Sequence, residues 1–135
     1  MTRINSDIDP RVLHRRHLVA ELREITMIPG SLSRSLMTRS HLMVLSGIPK
    51  KFTLNTGHVK FFYNKLTFLQ HRFDMLCDEM DRRGYVPDRR RRSAFDGFDE
   101  RFYNDWTSTP EDDNIVHERI ALRISQKPFL YLDIL

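Results

Sequence analysis

The stretch GHVKFFYNKLTFLQHRFDMLCDEM, residues 57–80, decides the fold. Val59, Phe62, Leu66, Leu69, Phe73, Leu76 and Met80 recur at alternating spacings of three and four. On a helix these side chains form one apolar stripe. The spacing predicts a continuous helix of about six turns that supplies the core. Asn55 or Thr56 can cap its start, and Gly84 can end it.

Two more helices flank it. Asp9-Pro10 pairs an acidic cap with proline at the first helical position. Leu18, Leu22 and Ile25 then share a face, with Val19 beside them, and the helix is expected to fade before Pro29-Gly30. Thr109-Pro110-Glu111-Asp112 opens the third helix with a cap, a proline and two first-turn acids. Ile115, Val116, Ile120 and Ile124 are its apolar positions, and Pro128 should stop it. The stretch between the second and third helices reads as irregular; it carries Pro87 and the run Arg89-Arg90-Arg91-Arg92. No run of alternating polarity argues for a strand. The expectation is an all-α fold: one compact domain over residues 1–135, with three main helices and long irregular connections.

A chain of 135 residues suits one core. A net charge of +4 favours an acidic partner such as nucleic acid, though basic proteins without one are common. Cys77 is the single cysteine and falls in the apolar repeat, so it is expected as a buried thiol in a reducing compartment. No apolar run is long enough for a membrane span, and the N-terminus lacks a signal-peptide core. A cytoplasmic monomer is expected.

The first helix carries the chemistry. His14, His17, Glu21 and Glu24 fall on one face, roughly opposite Leu18 and Leu22, and are expected outside the core. Arg16 and Arg23 line its edge. Carboxylates beside arginines suit work on a phosphodiester: the arginines neutralise phosphates, and a carboxylate stabilises positive charge developing on a sugar. The same pattern also fits a solvated helix face with local charge pairs. His14, His17 and Glu21 have spacings that can converge on a metal.

The N-terminus adds a nucleophile. Thr2 is small, so Met1 is expected to be removed, exposing an α-amine. Such an amine has a pKa near ~7.7–8.0, against ~10.4 for lysine, so far more of it is neutral at pH 7. It forms imines more readily than an unperturbed lysine.

These pieces together resemble a known family. Thr2-Arg3-Ile4-Asn5, then His17-Leu18 to Glu21, Arg23-Glu24, the block Gly57-His58-Val59-Lys60-Phe61-Phe62-Tyr63-Asn64-Lys65-Leu66, Arg83-Gly84-Tyr85 and Ile124-Ser125-Gln126-Lys127-Pro128 occur in the order found in the phage-type pyrimidine-dimer DNA glycosylases, the endonuclease V repair family. The resemblance implies a compact helical domain that is both glycosylase and abasic-site lyase, acting on double-stranded damaged DNA. It implies Thr2 as nucleophile and Glu24 as catalytic carboxylate. Arg3 and Arg23 would hold the DNA, and His17 would lie near the same site. Arg119, Arg123 and Lys127, four residues apart, match basic positions expected at phosphates. No metal or organic cofactor is implied.

Other segments take plainer readings. His58 is expected to make a hydrogen bond at a helix end. Phe61, Phe62, Tyr63 and Phe68 are expected in the core. The Arg89–Arg92 run suits either phosphate contacts or a solvated loop. Two departures bear on the lesion: Met27 stands where the family carries an arginine, and the tail Phe129-Leu130-Tyr131-Leu132 lacks the family's tryptophan and basic residue. A cyclobutane dimer is the first expectation, with other damaged bases or abasic sites as alternatives. Two other readings stay open: a DNA-binding module of this fold without catalysis, and a metal-dependent hydrolase using His14, His17 and Glu21.

Overall fold

A computed structural model of the chain describes residues 4–134, and among these no residue lies in a strand. The helices are α1 (Arg15–Ile25), α2 (Met27–Thr38), α3 (His41–Ser46), α4 (His58–Phe61), α5 (Leu66–Arg82) and α6 (Pro110–Gln126). Short 3-10 turns occur at Pro10–Val12, Arg89–Phe95, Glu100–Phe102 and Pro128–Ile134. The all-α expectation holds, with more helices than the three foreseen.

The stripe does form the core. Phe62, Leu66, Leu69, Phe73, Leu76 and Met80 are buried and Val59 is half-buried. It is not one helix, however. The chain breaks between Phe61 and Leu66, and Lys65 leaves the helical region at φ −128° and ψ 38°. The cause is Phe61-Phe62-Tyr63, all three of which are buried. Three consecutive residues cannot share one helical stripe, since each step turns the side chain by about 100°. Phe61 and Phe62 pack against Phe52 and Trp106, while the Tyr63 hydroxyl meets Ser31 Oγ at 2.6 Å. The exposed carbonyls find partners: Lys65 Nζ donates to Phe61 O at 2.8 Å and Asn104 Nδ2 to Asn64 O at 2.9 Å. Gly84, at φ +91°, ends α5 as expected.

The first helix starts later than expected. Asp9 and Pro10 open only a 3-10 turn, and Leu13 is extended. Arg83 Nη2 takes the Leu13 carbonyl at 2.7 Å, removing it from helical pairing. His14 then caps α1, its Nδ1 accepting from Arg16 N at 3.1 Å. Pro29 does not end helical structure either. It is the third residue of α2, in a first turn whose N–H groups have no partner within the helix, so a missing donor costs little. At Thr109 the expected cap is a full capping box: Asp112 N donates to Thr109 Oγ1 at 3.2 Å, and Thr109 N to Asp112 Oδ2 at 2.9 Å. Pro128 follows directly on the Lys127 cap of α6, as expected.

The arginine run forms a 3-10 turn whose side chains are exposed to half-buried and mostly ion-paired. Arg89 pairs with Asp78 and Asp81, Arg90 with Asp88, and Arg92 with Asp74. Arg91 donates to Arg23 O and Thr26 Oγ1, closing the end of α1. The run staples its turn to α5 and to the α1–α2 junction. Cys77 is fully buried, and burial raises its thiol pKa to about 11, so it stays protonated. No helix among the described residues is long and apolar enough to cross a membrane.

Candidate active site

α1 packs on α5 with Leu18, Leu22 and Ile25 buried, and Glu21 lies beside this stripe rather than opposite it. Of the four residues expected outside the core, His14, His17 and Glu24 are half-buried and Glu21 alone departs from the expectation. Glu21 is fully buried. Its carboxylate takes Arg72 Nε at 2.8 Å and Nη2 at 2.9 Å, and Asn5 Nδ2 at 2.8 Å. The partner that makes this burial tolerable comes from α5, 51 residues away. With Glu21 committed to Arg72 and Asn5, the metal reading loses its third ligand.

His17 sits earlier on α1, half-buried. Its Nε2 lies 2.8 Å from the Tyr131 hydroxyl. Arg16 Nε donates to Leu130 O at 2.8 Å, so the C-terminal turn is fastened to α1 at two points. Burial, then the nearby Arg119, His14 and Arg123, push the His17 pKa down to about 4. The folded state therefore resists a proton that the unfolded chain takes up near 6.5. Stability should fall as pH drops from about 6.5 toward 4, because the unfolded state binds more protons in that window. Calorimetry of wild type and His17→Gln checks this. The wild-type melting temperature should decline between pH 6.5 and 4.5, and the variant's should stay flatter.

The expected site residues divide between neighbouring concavities. His17, Arg119 and Arg123 line a cavity of about 350 Å³ with Asn5, Arg16 and Tyr131. Arg119 donates to Asn5 Oδ1, so one cavity wall is tied to the N-terminal segment. Arg23 lines a shallower depression with Arg15, Arg16, Val19, Ala20 and Tyr85. Arg16 and Ala20 line both. Glu24, half-buried, lines a third cavity of about 260 Å³ with Ile4, Met27, Ser31, Arg34 and His58. Seven residues of helix, about 10 Å, separate His17 from Glu24, so they face different pockets of one surface. Lys127 is exposed at the end of α6 and lines none of the three. Thr2 and Arg3 lie outside the described residues.

Charge is sorted across the molecule. Acids on α5 and in the turns neutralise Arg82, Arg83, Arg89, Arg92 and Arg101. Arg15, Arg23, Arg34 and Arg123, all at the cavities, make no ion pair among the described residues. Between Glu24 and Asp74 the sequence contains no aspartate or glutamate, while Arg34, Arg39, Lys50, Lys51 and Lys60 stand exposed. This acid-free stretch builds α2, α3 and α4. It concentrates positive charge on these helices, which suits a polyanion.

Arg34 is also new to the site. Its Nη1 lies 3.8 Å from where a Cβ on Gly30 would stand, so the guanidinium runs back along α2 toward Met27 and the Glu24 cavity. A cation thus reaches the cavity from two turns further along the same helix face. A family model described as pyrimidine dimer DNA glycosylase matches residues 1–93, which includes α1, the Glu24 cavity and all of α5. That match covers more than two thirds of the chain, and the chain therefore belongs to the pyrimidine dimer DNA glycosylase family.

Proposed function

We propose that this chain removes ultraviolet-linked pyrimidines from duplex DNA by imine chemistry and then cuts the strand at the resulting abasic site. The observation that carries the reading is that Ile4 and Glu24 line one cavity. Thr2 is two residues before Ile4, and two residues span at most about 7 Å. With Met1 removed, the α-nitrogen of Thr2 is two residues from a wall of the cavity that Glu24 lines.

In this mechanism the neutral α-amine of Thr2 attacks C1′ of the damaged nucleotide. The C1′–N bond to the base breaks; the base takes the bonding electrons and a proton and stays joined to its neighbour through the dimer's cyclobutane ring. The amine nitrogen loses its protons as the sugar ring opens, giving a C1′=N imine. Glu24 stabilises positive charge on the sugar and then on the iminium, and carries protons between steps. Loss of a C2′ proton expels the 3′ phosphate and breaks the strand. Arg3 and Arg23 hold the phosphates beside the lesion. Arg119, Arg123 and Lys127 extend the contact along the backbone. Reaching C1′ requires bent DNA and an opened base stack.

Met27 in the cavity wall favours a second reading at the level of substrate, in which a lesion other than the dimer is preferred. One assay tests both. Ultraviolet-irradiated, abasic and undamaged duplexes are incubated with the enzyme, with borohydride in parallel, and the adduct is mapped by mass spectrometry. The expected result is cleavage of irradiated and abasic duplex, with the reduced adduct on Thr2. Cleavage of abasic duplex alone would move the substrate away from the dimer. Active enzyme that retains Met1 contradicts the assignment of Thr2.

A further inference from the structure

The cavity that holds Glu24 contains a histidine whose two nitrogens are both committed. His58 opens α4 and is 2 % exposed. Its Nδ1 lies 2.8 Å from Thr53 O. A carbonyl only accepts, so Nδ1 carries the proton. Nε2 is then a lone pair, and it accepts from Ile4 N at 2.9 Å. The ring cannot turn away: Phe52 and Phe62 meet it edge to face at 5.5 and 5.3 Å.

Past Ile4 the chain is held twice more. Asn5 sits between Glu21 and Arg119. Ser6 takes a left-handed φ of 47°, unusual for a residue with a Cβ, and its Oγ donates to Asp113 Oδ1 at 2.7 Å. Ile4 and Asn5 belong to no helix, and chain ends without such ties fray. Of the anchored positions, Ile4 is closest to Thr2 along the chain, and its partner His58 lines the Glu24 cavity.

We infer that His58 is a positioning residue for the reactive amine. It fixes the Ile4 amide so that the α-nitrogen of Thr2 is presented to the sugar beside Glu24, without itself touching the reacting atoms. The inference rests on the Thr2 reading above. Its physical basis is effective concentration: a nucleophile on a frayed end loses the gain in rate that a fixed approach supplies.

The experiment compares His58→Asn with His58→Gln in the full chain with Met1 removed. The asparagine amide falls near Nδ1, so it keeps the Thr53 bond and loses the acceptor for Ile4. The glutamine amide falls near Nε2 and keeps that acceptor. Single-turnover imine formation is measured by borohydride trapping on saturating abasic duplex, with duplex affinity and melting temperature alongside. Imine formation in His58→Asn should slow by about tenfold or more. His58→Gln should stay closer to wild type, with duplex affinity unchanged in both. Equal imine rates in the two variants overturn the positioning role, as does a fall in His58→Asn that merely tracks affinity or melting temperature. Wild-type enzyme whose adduct maps elsewhere than Thr2 overturns the nucleophile itself, and the positioning role with it. A Thr2 adduct formed at wild-type rate in His58→Asn overturns the role of His58 alone.

Discussion

Glu24→Gln is expected to lower base release and imine formation by about 10²–10⁴-fold while leaving affinity for lesion duplex nearly unchanged. Glutamine has the size of glutamate and still hydrogen-bonds. It cannot neutralise a cationic sugar or accept a proton, so the loss falls on the transition state and not on binding. Glu24 is half-buried against Ile4, Met27 and Ile28, and this apolar wall lowers the local dielectric and strengthens the charge it contributes. Rapid-quench cleavage of abasic and irradiated duplex gives the rate, and fluorescence anisotropy gives the affinity. Variant and wild type cleaving at the same rate would remove Glu24 from the catalytic step, whereas cleavage by neither would leave only the reading in which the fold binds DNA without chemistry. A parallel loss of affinity would make Glu24 an organiser of the phosphate contacts around Arg23.

The route from sequence to site was open where the determinants are local. Thr109 and Asp112 are three residues apart, and their capping box follows from residue type and spacing alone. Gly84 ends α5 because its left-handed conformation is inexpensive only without a Cβ. The apolar stripe announced the core. What escaped notice depends on partners far along the chain. Glu21 looks like any charged residue on a wet face until Arg72 is brought beneath it. The break after Phe61 is imposed by Phe52 and Trp106, which the helical period does not contain. Pro29 signals a stop, yet in a first turn it is compatible with a new helix, and so α2 and α3 went unread. The acid-free stretch between Glu24 and Asp74 is a different case. It is visible by inspection, but only when charge is tallied by region rather than over the whole chain.

Arg72→Met should be the most damaging single change to the fold, costing about 3–5 kcal/mol. Arg72 is 1 % exposed and Glu21 is 0 % exposed. Its guanidinium holds both carboxylate oxygens and also donates to Ile8 O at 2.5 Å. Methionine fills much of the same volume, so the loss is electrical rather than steric. A carboxylate is stranded in the core and a backbone carbonyl loses its donor. For a chain of this size the melting temperature should fall by roughly 10–20 °C. Adding Glu21→Gln to the same chain separates the two losses. It removes the stranded charge, keeps a group that can meet Asn5, and should return a substantial part of the stability. A double variant no more stable than Arg72→Met would show that the damage lies at Ile8 O and not at the buried charge. The functional consequence follows from where these bonds end. Glu21 and Arg72 hold Asn5 and Ile8 on either side of Ser6. Their loss frees the segment leading to Thr2, so imine formation at temperatures well below melting should fall before the fold does.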